Sequence, residues 1–176
     1  THPLAGVTKD KVGGRQRERD RYLTEEEIIE LRRQLPDAHL LKSTELAIWL
    51  MLGTCCRVGE LIQARWANIS IENREWLIPS ANAKNAREHR VFLSDFAVAK
   101  FNSLKELSGD ADWCLPARDP KHHLHLKSIS KQIKDRMRLE PLKNRSKSVG
   151  SLVLSGGPWT PHDLRRTAAT LMGELG

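Results

Sequence analysis

Tyrosine is scarce in this sequence, and long apolar runs are absent from it. Among 176 residues there are five Trp and three Phe but a single tyrosine, Tyr22. No apolar stretch approaches the roughly 18 residues that a membrane-spanning helix needs. The first residues, as far as Arg21, are polar and basic and lack the apolar run of a signal peptide. We therefore expect a protein without a membrane segment.

Cysteine is also scarce, and its distribution argues against a disulfide framework or a metal site. The three cysteines are Cys55, Cys56 and Cys114. Their number is odd, two are adjacent, and no pair has the spacing of a zinc finger. Three histidines, His122, His123 and His125, stand together on a predicted loop, but such neighbours are poor tetrahedral ligands without further partners. We expect reduced, mostly buried thiols and no bound metal.

Positive charge is abundant and unevenly distributed. Lys and Arg number 29 against 22 Asp and Glu, which gives a net charge of +7 and a pI near 9.6. Residues 118–148 carry ten basic and three acidic groups, a net of +7, whereas residues 23–117 are slightly acidic. Such a surplus favours an anionic partner, most often nucleic acid. A merely solvated surface is the alternative for a charge run taken alone.

The apolar pattern predicts a fold of the α+β class, mostly helical with a small antiparallel sheet. Thr24, with Glu27 three residues on, forms a capping box that begins a helix, and Pro36 ends it. The helices predicted after it are the apolar segment 44–53, Arg57 to about Arg65, Ser94 to Gly109, 129–137 and the segment that follows Thr160.

The sheet is predicted to have about three strands. Apolar residues alternate at 69–71 and 76–78 around a turn at 73–74, and the alternation continues at 91–93. Lys84 falls in the loop between the second and third of these strands, where a lysine taken alone is usually just solvated.

The last predicted helix carries a cationic face at its start. Residues 160–167 read TPHDLRRT, so Thr160 is the expected N-cap. His162, Arg165 and Arg166 share one face of the first turn, and the opposite face is apolar, with Leu164, Ala168, Leu171 and Leu175 expected in the core. A helix N-terminus already favours anions, so this face predicts a phosphate site. Plain surface charge, with His162 as a capping residue, is the alternative.

Arg57 is the second position that suggests chemistry. It directly follows a run of apolar residues, and a charge at the edge of a core needs a partner. Glu60, one helical turn on, is the expected partner. A purely structural Arg–Glu pair is the alternative interpretation.

Two of these segments together resemble the tyrosine recombinase (phage integrase) family. Residues 57–61 read RVGEL, and residues 161–167, about a hundred residues later, read PHDLRRT. Between them, WLIP at 76–79, Lys84 and HRVFLS at 89–94 are similar to the β-hairpin that carries the family's catalytic lysine. The likeness covers nearly the whole chain from about Arg21. Within the family, the sequence most resembles integrases of prophages, genomic islands and integrative elements.

The resemblance implies the tyrosine recombinase catalytic-domain fold and a site for DNA cleavage and rejoining. By this likeness Arg57 and Arg165 hold the scissile phosphate, and Lys84 protonates the leaving 5′ oxygen as a general acid. His162 would hydrogen-bond the phosphate or assist proton removal, and Glu60 would support Arg57. The implied activity is site-specific recombination, the integration or excision of a mobile element through a phosphotyrosine intermediate. The resemblance implies no requirement for a metal ion, ATP or another cofactor.

The nucleophile is where the sequence departs from the family pattern. The family's tyrosine follows the His-x-x-Arg block by a few tens of residues, whereas this chain ends 11 residues after Arg165. Tyr22 precedes the first helix and is not expected to be the nucleophile. We therefore expect residues 1–21 to be a linker from an absent upstream domain. Residues 22–176 would be a catalytic domain without its tyrosine-bearing C-terminal part, inactive alone.

Double-stranded DNA is the expected partner, with self-association into a tetramer on DNA in the parent protein. A bacterial or phage-encoded protein of this kind is expected in the cytoplasm. The residues expected to contact DNA phosphates are Arg87, Lys127, Lys131 and Lys134, with Arg136 and Arg138 in the same basic group. A non-catalytic DNA-binding module is the alternative, and an RNA-binding domain that exposes Trp76 on its sheet is another. The enzyme hypothesis requires four residues to converge on one pocket: Arg57, Lys84, His162 and Arg165.

Overall fold

The computed structural model describes residues 20–144 and 147–175, and this part of the chain is mostly helical with one small sheet. The predicted linker at 1–21 lies almost wholly outside the described residues. The helices are α1 (Glu25–Gln34), α2 (Lys42–Thr54), α3 (Val58–Ile62), α4 (Asp95–Ser108), α5 (Ser128–Arg136) and α6 (Pro161–Leu175). No helix among the described residues is long and apolar enough to cross a membrane.

The sheet is antiparallel and three-stranded, as predicted. Its strands are β1 (Ile69–Ser70), β2 (Glu75–Ile78) and β3 (His89–Phe92), hydrogen-bonded in the order β1-β2-β3. Trp76 of β2 lies opposite Ile69 on one side and Val91 on the other. It is buried and meets Phe101 of α4 edge to face, with ring centroids 5.7 Å apart. The RNA-binding alternative, which needed Trp76 exposed on the sheet, is therefore not supported by this residue. The exposed aromatic of this sheet is Phe92 instead.

Helix α2 forms the centre of the core. Its sequence is apolar on nearly every side, and a helix of that kind is stable only when it is surrounded. It packs against α4 and α6, with Ala47, Ile48, Leu50 and Met51 fully buried. The C-terminal end of α2 therefore lies beside α6 and delivers the chain to Arg57.

The helix starts follow the predicted capping signals. Thr24 and Glu27 form the expected capping box at α1. Ser94 accepts a hydrogen bond from the Ala97 amide at the start of α4. At the start of α6 the Thr160 amide and hydroxyl both donate to Asp163 Oδ2, at 2.9 and 3.0 Å. These caps define where each helix begins, and in α6 they orient the turn that carries His162.

One predicted helix boundary and one predicted core residue were wrong. Helix α3 ends at Ile62 rather than near Arg65, because the next backbone groups pair with another loop: the Cys114 amide donates to Ala64 O, at 3.0 Å. On α6, Leu164 and Ala168 are buried as expected, but Leu171 is 38% exposed. Packing among the described residues therefore covers the apolar face of α6 along its first half only.

Candidate active site

A cavity of about 390 Å³ lies between the start of α3, the β2–β3 loop and the first turn of α6. The predicted catalytic residues Arg57, Lys84, His162 and Arg165 all line it, and so does Glu60. These residues come from three separate parts of the sequence, and the packing of α2 against α6 brings the outer two together. The convergence that the enzyme hypothesis required is therefore present.

Glu60 holds the two arginines of this cavity. Its carboxylate accepts a hydrogen bond from the Arg57 amide at 2.7 Å and one from Arg57 Nη1 at 2.8 Å. Arg165 Nη1 lies 4.0 Å from the second carboxylate oxygen. The Glu60 side chain is almost fully buried, whereas both arginine side chains are about a third exposed. Two cations share one anion, so this centre keeps a net positive charge toward the cavity.

Cys55 makes reciprocal contacts with Arg165. The Arg165 guanidinium donates to the Cys55 carbonyl, and the Cys55 thiol lies 3.5 Å from the Arg165 carbonyl oxygen. Cys55 has a left-handed backbone with φ of 54°, which an L-residue seldom adopts, and this turn ends α2. The sequence offered no signal for this role beyond the closeness of Cys55 to Arg57. The cysteines are free thiols, as expected, and burial raises the pKa of Cys56 to about 12.

His162 lies at the mouth of the cavity. Partial burial lowers the pKa of its imidazole, and the nearby guanidiniums of Arg166, Arg165 and Arg57 lower that pKa further, against an opposing effect of Asp163. The ring is therefore neutral at pH 7, with one nitrogen able to accept a proton. Asp163 itself is buried, and Arg166 Nη1 donates to it at 3.3 Å.

The depressed pKa of His162 is directly measurable. Replacing Arg166 by glutamine removes a nearby positive charge, so the pKa of His162 should rise toward its ordinary value. Histidine NMR titration of the wild-type chain and the variant would compare the two pKa values. Arg74→Gln, which breaks the exposed Arg74–Asp95 pair, is the matched control and should leave His162 unchanged. A wild-type pKa at or above the ordinary value would contradict the described geometry.

Lys84 reaches the cavity from the loop between β2 and β3. The side chain is exposed, and its loop is anchored by Asn82, whose Nδ2 donates to Gln63 O at 3.1 Å just after α3. Asn82 lines the cavity as well and was not predicted from the sequence. A lysine in a loop has no local sequence signature of catalysis. Lys84 is a candidate only because Arg57, His162 and Arg165 line the same cavity.

The predicted DNA-contacting residues are exposed. Arg87 lies on the loop of Lys84, and Lys127, Lys131 and Lys134 lie at the start and along one side of α5. Together with His125, these three lysines border a second cavity, of about 570 Å³.

The prediction for Arg136 was wrong. Its side chain is buried and donates to the carbonyl oxygens of Ala38 and His39, at 2.9 and 2.5 Å. It joins α5 to the turn after α1 and therefore has no role at a DNA surface. Arg138 pairs with Asp135 at 3.4 Å and is about a quarter exposed.

The lone tyrosine and the histidine group stand apart from the cavity. Tyr22 is half exposed and is not among the residues that line the cavity. His122 Nδ1 lies 3.0 Å from Asp119 Oδ2. In residues 20–144 and 147–175, no group of three or more His, Cys, Asp or Glu side chains is arranged to hold a metal ion.

The described residues thus form a mostly helical domain with a three-stranded sheet and a cationic pocket between α3 and α6. The phage integrase family model matches residues 21–176, and the chain belongs to this family of tyrosine recombinases. The resemblance noted in the sequence is thereby confirmed.

Particular relatives agree with this assignment. The chain is 28% identical over 152 residues to prophage integrase IntA of Escherichia coli (strain K12), a match that covers 86% of this chain and 33% of the relative. Its fold is similar to the lambda integrase catalytic core, with a TM-score of 0.65, 17% identity, and 88% and 84% of the two chains covered. It is also similar to a lambda integrase tetramer bound to a Holliday junction, with a TM-score of 0.67, 18% identity, and 92% and 43% covered. The chain thus spans about a third of the length of the curated relative.

Proposed function

We propose that this chain is the phosphate-binding part of the catalytic domain of an integrase. The longer protein would carry out site-specific DNA recombination, the integration or excision of a mobile element. The observation that carries this proposal is the meeting of Arg57, Lys84, His162 and Arg165 around one cavity with a net positive charge. A non-catalytic DNA-binding module needs only a basic surface, and no such convergence of general-acid and phosphate-binding groups.

Arg57 and Arg165 are proposed to hold the scissile phosphate. In phosphoryl transfer, negative charge builds up on the non-bridging oxygens, and a guanidinium offers them two parallel N–H donors. Glu60 and the Cys55 carbonyl already hold these guanidiniums in place, so little reorganisation is needed when the phosphate arrives. Glu60 is therefore proposed as a positioning residue.

Lys84 and His162 are proposed to move the protons. A tyrosine oxygen attacks phosphorus, the P–O5′ bond breaks, and the Lys84 ammonium gives a proton to the departing 5′ oxygen. The phenolic proton goes to the neutral imidazole of His162, whose lowered pKa keeps it ready to accept at pH 7. The phosphotyrosine bond keeps the energy of the original phosphodiester, so rejoining needs neither ATP nor a metal ion.

The nucleophilic tyrosine is proposed to lie outside this chain. Tyr22 is the only tyrosine present and does not line the cavity. We therefore propose that residues 22–176 are a catalytic domain that acts within a longer protein, that residues 1–21 link it to an upstream domain, and that the 176-residue chain alone does not cleave DNA.

Double-stranded DNA is the proposed partner, and a tetramer on DNA is the proposed assembly of the longer protein. The similarity to a lambda integrase tetramer bound to a Holliday junction supports both. The exposed lysines at the start of α5 and along it, with Arg87 on the β2–β3 loop, would contact DNA phosphates. A cytoplasmic location in a bacterial host fits such a substrate.

The DNA surface can be tested by salt dependence. If about five basic side chains contact phosphates, log affinity should fall against log salt with a slope of about −4 to −5. Replacing Lys127, Lys131 or Lys134 by glutamine should make that slope less negative by about 0.9 each. Arg74→Gln, in the exposed Arg74–Asp95 pair at the start of α4, is the control and should leave the slope unchanged. Titration of the 176-residue chain with duplex DNA at several salt concentrations measures these slopes. An unchanged slope in all three variants would remove α5 from the interface.

A further inference from the structure

Polar side chains of α1, with Arg21 just before it, hold the backbone of the loop that leads into α6. The contacts run in order along the loop: Gln34 Nε2 to Val153 O at 2.9 Å, the Ser155 amide to Glu30 at 2.9 Å, the Gly156 amide to Glu27 at 3.0 Å, and Arg21 to Gly157 O and Pro158 O at 3.1 and 3.0 Å. Glu27, Glu30 and Gln34 are spaced by one helical turn and so lie on one face of α1. We call Arg21, Glu27, Glu30 and Gln34 the α1 ladder.

The loop depends on such contacts because it contains no regular secondary structure of its own. Between Leu152 and Pro158 the backbone makes one isolated bridge, Leu154 with Gly157. Backbone N–H and C=O groups that lack a partner in a folded protein are unfavourable. The α1 ladder supplies hydrogen-bond partners to five backbone groups of this loop. From Val153 to Pro158, the successive contacts lie progressively closer to α6 along the chain.

The Arg21–Glu27 ion pair forms the end of the ladder nearest α6. Arg21 Nη2 lies 2.5 Å from Glu27 Oε1, and the Glu27 side chain is only 3% exposed. Burial raises the pKa of Glu27, but hydrogen bonds from Arg21, Thr24 and Gly156 and the Arg21 charge outweigh it and lower the pKa overall. The carboxylate is therefore ionised at neutral pH and is a strong acceptor for the loop.

Gly156 fits this arrangement because it has no side chain. A Cβ at this position would lie 2.5 Å from Glu27 Oε1 and 2.8 Å from Arg21 Nη1. Those atoms belong to the ion pair, so any larger residue would separate the loop from the pair. The loop backbone can therefore approach the Arg21–Glu27 ion pair closely only because residue 156 is a glycine.

A second contact ties the same segment to α6 itself. The Leu23 amide donates to Thr167 Oγ1 at 2.8 Å, and the Thr167 hydroxyl donates to Asp163 O at 2.8 Å. Thr167 is buried and lies two residues beyond Arg165. Residues 21–27 therefore hold both the loop before α6 and the helix body.

We propose that Arg21 and Glu27 are positioning residues of the phosphate pocket, because they fix the loop that sets the first turn of α6 and so the placement of His162 and Arg165. A catalytic effect of Arg21 and Glu27 rests on the proposed function. Their effect on the position of the first turn of α6 does not depend on that function. His162 lies four residues after Pro158, so a loop that moves carries the imidazole with it. A displacement of about 1 Å at a reacting group is enough to lower a rate by roughly 100-fold.

The first test measures His162 in the 176-residue chain by NMR titration. In Arg21→Gln and in Gly156→Ala the imidazole should leave its partly buried place among the guanidiniums, and its pKa should rise toward the ordinary value. Arg21→Lys keeps the charge but lacks the planar guanidinium fork that spans both carbonyls and the carboxylate, so its His162 pKa should lie between those of wild type and Arg21→Gln. Arg74→Gln breaks an exposed ion pair at the start of α4 and is the control that should leave His162 unchanged.

The second test uses the longer protein. At saturating DNA, Arg21→Gln and Gly156→Ala should lower the rate of strand cleavage by about 10-fold to 100-fold while DNA affinity stays near that of wild type. A His162 pKa that is unchanged from wild type in both folded variants would overturn the inference, whatever the enzyme does. Arg21→Lys serves the same purpose if the stronger variants fail to fold, since an unshifted His162 in it also contradicts the inference. Failure of the proposed function looks different: Arg57→Ala would then cleave normally while the His162 shifts persist.

Discussion

Replacing Arg57 or Arg165 by alanine in a longer protein that supplies the tyrosine should lower strand cleavage by roughly 1,000-fold or more. Each guanidinium is proposed to stabilise charge that develops on the phosphate, and loss of one such preorganised donor typically lowers a rate about 100-fold to 1,000-fold. The arginine that stabilises the transition state in other phosphoryl transfers is worth about 1,000-fold to 100,000-fold. DNA affinity should change little, because most of the proposed phosphate contacts, on α5 and the β2–β3 loop, lie outside this cavity.

The neighbouring Arg166 provides the matched control for this experiment. It is on the same helix and equally cationic, but it pairs with Asp163 and does not line the cavity. Arg166→Gln should therefore retain most of the cleavage activity at about pH 8, where His162 is neutral even at its ordinary pKa. Single-turnover cleavage of a labelled duplex, with DNA affinity measured in parallel, separates the two effects. An Arg57→Ala or Arg165→Ala protein that recombines at the wild-type rate would refute the assignment of these residues.

Lys84→Ala should lower cleavage by about 100-fold to 10,000-fold, the range for loss of a positioned general acid. The effect should depend on the leaving group. If the bridging 5′ oxygen is replaced by sulfur, the departing thiolate needs no proton, because thiols ionise near pH 8.5. The variant should then cleave the sulfur-containing substrate nearly as fast as wild type does.

Arg57→Ala is the control for that rescue. Its missing contact is to the non-bridging oxygens, so the sulfur substitution should not restore its activity. If Lys84→Ala is equally slow on both substrates, Lys84 contributes something other than proton transfer. If it is fully active on the ordinary substrate, the lysine has no catalytic role.

Much of the fold follows from short-range sequence signals. The Thr24–Glu27 capping box and the Ser94 cap depend on residues three apart, so both are visible in the sequence and present in the structure. The three strands follow from alternation within a few residues of each turn. The pocket was predicted for a different reason, since RVGEL and PHDLRRT are recognisable as a pair although about a hundred residues separate them.

The remaining features depend on contacts between distant residues. Helical spacing from Ile129 and Ile133 places Arg136 on the buried face of α5, but nothing in the sequence indicates its partners, the carbonyls of Ala38 and His39. The close approach of Gly156 to Glu27 spans 129 residues and has no local signature. Cys55 contacts Arg165 because its own backbone is left-handed, and no glycine or asparagine at that position predicts such a turn. Tertiary packing determines such positions, so a pattern of neighbours along the chain does not reveal them.

The most direct test of the central claim is a search for a covalent protein–DNA adduct in the longer protein. A nicked duplex that traps the cleaved strand should yield an adduct whose phosphate is joined to a tyrosine outside these 176 residues. The adduct should be absent in Arg57→Ala and Arg165→Ala proteins and unaffected by Tyr22→Phe. An adduct that forms normally in the Arg57→Ala or Arg165→Ala protein, or one that maps to Tyr22, would contradict the central claim. That claim is that this cavity binds the scissile phosphate for attack by a tyrosine outside these 176 residues.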